Sequence, residues 1–228
     1  MILASHQPNF LPYMGFFYKA TRCDVLVFSD DVQFSKKGMH NWNRIKTANG
    51  EMKLTLPVHA HHDSKLKDVE IADQKHSLET IIKTLRQYYR VAPHYRDILV
   101  LLDFMNIFAC ATSPQPMAML NRGLILLAME RFGMKCRIGV ASEIGITGHK
   151  DERILHMCEK IGADTYLSGR GAAVYHDPEK YRARGIDLVY SDYQPVEYPQ
   201  LYGEFIPNLS VIDYVANCGF NLPRGWRK

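Results

Sequence analysis

The chain opens on a short apolar run, Ile2-Leu3-Ala4, that breaks at once into a polar cluster of His6, Gln7 and Asn9 punctuated by Pro8, Pro12 and Gly15. Phe16 to Arg22 then has the spacing of a helix, and Asp24 to Phe28 leads into a continuous apolar run typical of a strand buried on both faces. Strand, helix, strand predicts a βαβ unit with a right-handed crossover. Lys53 to Val58 alternates like another strand, with Asn49-Gly50 as the turn before it. Three helical patterns follow with no strand between them. The first runs from Ser77 to Val91, with Ser77 as N-cap and Leu78, Ile81, Ile82 and Leu85 as its stripe. The second carries Ile98, Leu101, Leu102, Met105 and Phe108, and the third runs from Pro116 to Phe132 and stops at Gly133. Strands return at Cys136 to Ala141, Thr165 to Ser168 and Ile186 to Tyr190. Between the first two lie a glycine-punctuated loop over 142–150 and a helix with Asp151 and Glu152 in its first turn. The pattern predicts one α/β domain over 1–228 with a mostly parallel sheet, and a helical insertion or cap over 75–133.

Composition changes this picture little. At 228 residues the chain is long enough to bury a proper core. Its 28 basic and 24 acidic residues give a mild positive balance that suits an anionic ligand. The basic residues gather in one segment without a groove-reading helix, so no nucleic-acid partner is expected. Five scattered cysteines with no C-x-x-C pair point to reduced thiols. No secretory signal or bilayer-length apolar stretch is visible, so a cytoplasmic protein without a membrane span is expected. Arg224, Arg227 and Lys228 read as a frayed basic end.

Candidate chemistry concentrates at three places. His6, Gln7, Asn9 and Tyr13 follow the first strand, where ligands sit in open α/β sheets, although a turn that satisfies its own polar groups would look the same. Lys36, Lys37, Arg44 and Lys46 share eleven residues with His40, Asn41 and Asn43, a density that suits a phosphate or nucleotide or else a solvated basic loop. Ser168-Gly169-Arg170-Gly171 leaves a strand with two glycines and a charge, which permits an anion-binding concavity, and Tyr175, His176 and Asp177 lie just beyond. Asp30-Asp31 follows the second strand as a turn or a Mg²⁺-positioning pair. His59, His61 and His62 with Asp63 form either an exposed polar loop or a transition-metal site. Ser210 with Asp213 resembles a capping box with Asp in place of the usual Glu.

Several of these segments together resemble the WbqC-like protein family. They are His6-Gln7-Pro8-Asn9-Phe10-Leu11-Pro12, Phe28-Ser29-Asp30-Asp31-Val32-Gln33-Phe34, Asn41-Trp42-Asn43-Arg44-Ile45-Lys46, Leu167-Ser168-Gly169-Arg170-Gly171 and Leu209-Ser210-Val211-Ile212-Asp213. The resemblance implies a bacterial protein linked to surface-polysaccharide (O-antigen) biosynthesis, some members being suggested glycine transferases. The opening layout is also similar to the nucleotidyltransferase superfamily, which implies a Rossmann-like three-layer sandwich and ATP binding. Phe16 stands where that superfamily has its second phosphate-binding histidine. Taken together, the two resemblances imply ATP- and Mg²⁺-dependent activation of a small carboxylate and its transfer to an amine on a sugar nucleotide. His6, Lys36 and Arg44 would then act on phosphate charge, Gln7, Asn9 and Asn41 would orient substrate, and Ser168 to Gly171 would cradle an anion. A non-catalytic nucleotide-sugar-binding accessory protein is the alternative.

Overall fold

The structure, a computed structural model, describes residues 1–226; Arg227 and Lys228 of the basic end lie outside the described residues. β1 (Ile2–His6), α1 (Met14–Thr21) and β2 (Val25–Phe28) form the expected βαβ unit, with β1 and β2 parallel. An antiparallel hairpin of β3 (Trp42–Thr47) and β4 (Gly50–Thr55) follows, then the short pair β5 (Val58–His59) and β6 (Glu70–Ile71). Helices α2 (Gln74–Tyr89), α3 (Tyr95–Ala109) and α4 (Met117–Arg131) come next. β7 (Arg137–Val140), α5 (Ala141–Ile144), α6 (Lys150–Ile161), β8 (Thr165–Ser168), α7 (Pro178–Arg182), β9 (Asp187–Tyr190) and α8 (Val211–Cys218) complete the order.

The central sheet has five parallel strands in the order β7-β2-β1-β8-β9. It grows outward from β1 through β2 to β7. The chain then returns to the other side of β1 and grows through β8 to β9. The order therefore reverses between β1 and β8, and in such sheets the carboxyl ends of the strands at that point diverge into a crevice.

Side-chain alternation builds the three layers. Ala4, Leu26, Phe28 and Leu167 turn to one face, where they join a core with α1, α2, α3, α4, α8 and the β3–β4 hairpin. Leu3, Val25, Val27 and Tyr166 turn to the other and meet Ala141, Leu155, Cys158 and Tyr181. Full burial of a side chain such as Leu26 contributes about 1.5–3 kcal/mol. The fold is an α/β, Rossmann-like three-layer sandwich. Leu78, Leu101 and Leu124 lie in the same core cluster as Phe28, so α2, α3 and α4 supply part of one layer of that sandwich.

Local readings shift at three points. α2 starts at Gln74, and Ser77 lies inside it with its hydroxyl donating 2.5 Å to the Ala72 carbonyl; Asp73 holds the position before the helix at φ +38°. The second half of the basic segment is strand β3, in which Asn43, Ile45, Lys46 and Thr47 are all buried. Ser210 does cap α8, its hydroxyl accepting from the Ile212 N–H at 3.3 Å, but Asp213 does not reach back to it. Its carboxylate accepts instead from the hydroxyls of Tyr89 and Tyr198, both at 2.8 Å, so half of the expected capping box is a long-range anchor.

Candidate functional site at the strand-order reversal

β1 delivers Ser5 and His6 to the crevice. The His6 ring packs edge-on against Phe16 of α1, with centroids 5.0 Å apart, and its Nδ1 lies 2.8 Å from the Gln7 carbonyl. A carbonyl can only accept, so Nδ1 carries the proton and Nε2 of the neutral ring is an acceptor. Burial, helped by the Lys19 charge and opposed by the Gln7 bond, holds the pKa of His6 down at about 3. At neutral pH this ring is an uncharged base.

Lys19 sits on α1 within the run Phe16-Phe17-Tyr18-Lys19-Ala20, and 6% of it is exposed. Its Nζ donates 2.7 Å to the Ser5 carbonyl, and burial lowers its pKa to about 8. It therefore remains mostly cationic at neutral pH, at the carboxyl end of β1.

β8 supplies the opposite wall. Ser168 ends the strand, and Gly169 leads into a 3₁₀ segment over Arg170–Tyr175. The Ser168 hydroxyl lies 2.9 Å from Nε2 of His176, whose Nδ1 lies 2.7 Å from Oδ1 of Asp151 at the start of α6. The Tyr181 hydroxyl donates to that same carboxylate oxygen at 2.9 Å, and the Asp177 N–H donates to Oδ2 at 2.9 Å. Burial works against ionisation of Asp151, but the bonds from His176, Asp177 and Tyr181 prevail and hold its carboxyl below the ordinary carboxylate value.

Between these walls lies a cavity of about 360 Å³, within the range of small-ligand sites, lined by His6, Gln7, Lys19, Lys150, Arg153, Ser168, Gly169 and His176 among others. An adjoining hollow of about 180 Å³ is reached past His6, Lys19 and Gly169, which line both, and adds Tyr13, Arg170, Gly171 and Tyr193. One crevice with cationic walls thus runs across the carboxyl edge of β1 and β8. Such a shape accepts an elongated anion.

The sequence profile of the WbqC-like protein family matches residues 7–224. The chain belongs to the WbqC-like protein family. It is also similar to "Uncharacterized protein Rv1507c" of Mycobacterium tuberculosis (strain ATCC 25618 / H37Rv), with 27% identity over 220 residues, covering 95% of this chain and 94% of the relative. No solved structure matches it.

This WbqC-like protein brings His6, Gln7, Tyr13, Ser168, Gly169, Arg170 and Gly171 to the crevice from two distant stretches of sequence. His176, just beyond the second stretch, lines the crevice too, and the remaining residues singled out in the sequence lie elsewhere. Neither Lys36 nor Arg44 lines the cavity or the hollow. Lys36 is exposed, and Arg44 pairs with Glu51 at 2.8 Å and donates to the Asn208 carbonyl at 3.3 Å. Asn41 donates 2.9 Å to the Leu56 carbonyl, and Asn9 bonds His40 at 3.2 Å, so both brace loops. Asp30 accepts from the Ser142 N–H and hydroxyl at the start of α5, at 3.0 and 2.7 Å, while Asp31 pairs with Arg153 of the crevice wall. The two carboxylates are thus turned to different partners. His59, His61 and His62 are exposed, and among the described residues no three His, Cys, Asp or Glu side chains converge on a metal-sized point.

Four lining or supporting groups carried little signal in the sequence: Lys19, Arg153, Asp151 and His176. Lys19 is the one charge inside the apolar helical run from Phe16 to Ala20. Asp151 looked like an ordinary acidic first turn, and nothing in its spacing joins it to His176, 25 residues on.

Proposed function

We propose that this protein is an enzyme that binds a nucleotide or sugar nucleotide in the β1–β8 crevice and transfers a small acyl group to an amine. The fuller form of the proposal is activation of a small carboxylate, such as glycine, by ATP and its transfer to an amino group of a sugar nucleotide in surface-polysaccharide biosynthesis. One observation carries this reading. At the point where strand order reverses, His6 and Lys19 from the amino-terminal βαβ unit face the Ser168 to Gly171 loop across one cation-lined crevice.

Lys19, buried beside the crevice, and Arg170, exposed at its rim, offer positive charge to phosphates, and burial strengthens the contact to Lys19; Arg153 could add its charge only by releasing Asp31. His6, neutral with Nε2 able to accept a hydrogen bond, is suited to orient the attacking amine, since a ring held at a pKa of about 3 is too weak a base to keep that proton at neutral pH. Its donation to a phosphate oxygen, the role the resemblance implied, needs a proton taken up on binding. Holding donor and acceptor in one crevice supplies the rest, since proximity alone can contribute several kcal/mol. Mg²⁺ would arrive with the triphosphate. Asp30 and Asp31 would have to release Ser142 and Arg153 to ligate it.

The test is exchange of labelled pyrophosphate into ATP in the presence of glycine and other small acids. It is run beside mass spectrometry of sugar nucleotides incubated with the protein and ATP. The expected result is acid-dependent exchange and a new acylated mass. Lys19→Met should weaken nucleotide binding about tenfold or more, equivalent to about 1.4 kcal/mol. Binding without any new mass would leave a nucleotide-sugar-binding accessory protein, and no binding of either ligand would remove the proposal.

A further inference from the structure

The relay at the end of β8 has a geometry that a structural hydroxyl does not need. The Ser168 hydroxyl has two acceptors in reach, Nε2 of His176 at 2.9 Å and the Gly169 carbonyl at 3.3 Å, and the nearer is the imidazole. Asp151 accepts the Nδ1 proton, which fixes the tautomer that leaves Nε2 unprotonated toward Ser168. The Asp151 carboxylate is itself fixed at both oxygens, by the Tyr181 hydroxyl on one and the Asp177 N–H on the other. The His176 and Asp151 side chains are only 5% and 6% exposed, yet Ser168 and His176 both line the 360 Å³ cavity. A hydroxyl bonded to a base, with the base oriented by a buried carboxylate, is the recognisable arrangement of an activated serine whatever its order in the chain.

We infer that Ser168 is a nucleophile that carries the acyl group covalently, with His176 as its base and Asp151 as the residue that positions the imidazole. The inference deepens the acyl-transfer reading and rests on it for the identity of the donor, an activated acyl compound such as a mixed anhydride with a nucleoside monophosphate. Ser168 Oγ attacks the acyl carbon, the bond from that carbon to the phosphate oxygen breaks, and the monophosphate leaves with the electron pair. The Oγ proton passes to Nε2 of His176 and departs with the monophosphate. The acceptor amine then attacks the acyl-serine, the bond from carbon to Oγ breaks, and His176 moves a proton from the nitrogen to Oγ. Serine is restored and an amide released.

The experiment needs no nucleotide. The full-length protein is treated with a small phosphonofluoridate and, separately, with p-nitrophenyl acetate, and adducts are followed by intact mass and peptide mapping. One adduct per chain on Ser168 is expected from each reagent. Ser168→Ala should abolish it and His176→Gln should slow it by on the order of 10³-fold, with circular dichroism showing both variants folded. Asp151→Asn should slow it by on the order of 10²-fold or more, and ¹⁵N spectra should show the His176 proton moved from Nδ1 to Nε2. A purely packing role for Asp151 would not move that signal. No adduct on Ser168 from either reagent, or an equal rate in a folded His176→Gln, overturns the inference. Nucleotide binding without labelling would sink the serine and spare the proposed function; labelling without nucleotide binding would do the reverse.

Discussion

A methyl group added at Gly169 would meet nothing, since no heavy atom lies within 4 Å of the place a Cβ would occupy, and its φ of −74° suits any residue. Gly171 is equally open. Gly15, in α1, is the opposite case: a Cβ there would fall 2.3 Å from the Tyr13 ring and 3.0 Å from that of Tyr193, so packing demands glycine. What the missing side chain at Gly169 preserves is room, on the lip shared by the cavity and the adjoining hollow. Gly169→Ala should therefore leave urea-denaturation stability within about 0.5 kcal/mol of the parent, as for substitutions that disturb no contact. It should also weaken nucleotide binding severalfold in a calorimetric titration. Unchanged affinity in a folded variant would place the ligand elsewhere on the molecule.

Elements set by local pattern were legible from the sequence, and those set by distant partners were not. The apolar runs of β1, β2 and β8 announced buried parallel strands, and the stripes of α3 and α4 placed those helices, because burial writes its period into the chain. Strand order carries no such signature. Neither does the destination of a buried polar side chain, which is why Asp213 suggested a helix cap and is an anchor, and why Ser168, His176 and Asp151 could not be joined on paper. The crevice was half legible: the loops after β1 and β8 announced polar strand ends, whereas Arg44 was claimed by Glu51 and the 208–210 segment. The α8 anchor itself is testable. Asp213 is fully buried and satisfies both Tyr89 and Tyr198, tying α8 to α2 and to the 198–206 loop. Asp213→Ala leaves two hydroxyls without their acceptor at about 1–3 kcal/mol each, so a loss of about 2–6 kcal/mol is expected in chemical denaturation. Tyr198→Phe, which leaves no orphaned hydroxyl but takes the donor from one oxygen of the buried carboxylate, should cost about 1–3 kcal/mol. Equal losses in the two variants would mean that the carboxylate does not hold the element.

Across the whole molecule, the polar groups held under the amino-terminal loop set how stability responds to pH. Burial lowers His40 to about 4, and burial with the Lys19 charge lowers His6 to about 3. Above the ordinary histidine value of about 6.5 both rings are neutral in folded and unfolded chains, so neither affects stability. As pH falls below that value the unfolded chain binds protons that the folded one refuses, and stability drops until the folded rings titrate near 4 and 3. Each ring contributes a slope of up to about 1.4 kcal/mol per pH unit within that window. Lys19, lowered to about 8 by burial, acts at the other end. Between about 8 and its ordinary value near 10.4 only the unfolded chain keeps that proton, so this group makes stability rise with pH. Urea midpoints measured from pH 7 down to 4.5 should therefore fall steeply. His40→Gln, a substitution away from the crevice lining, should lose about one proton's share of that slope. A flat profile below pH 6.5, or an identical slope in the His40 variant, would show that water reaches these rings in the folded protein and that the loop packed over the carboxyl end of β1 is open.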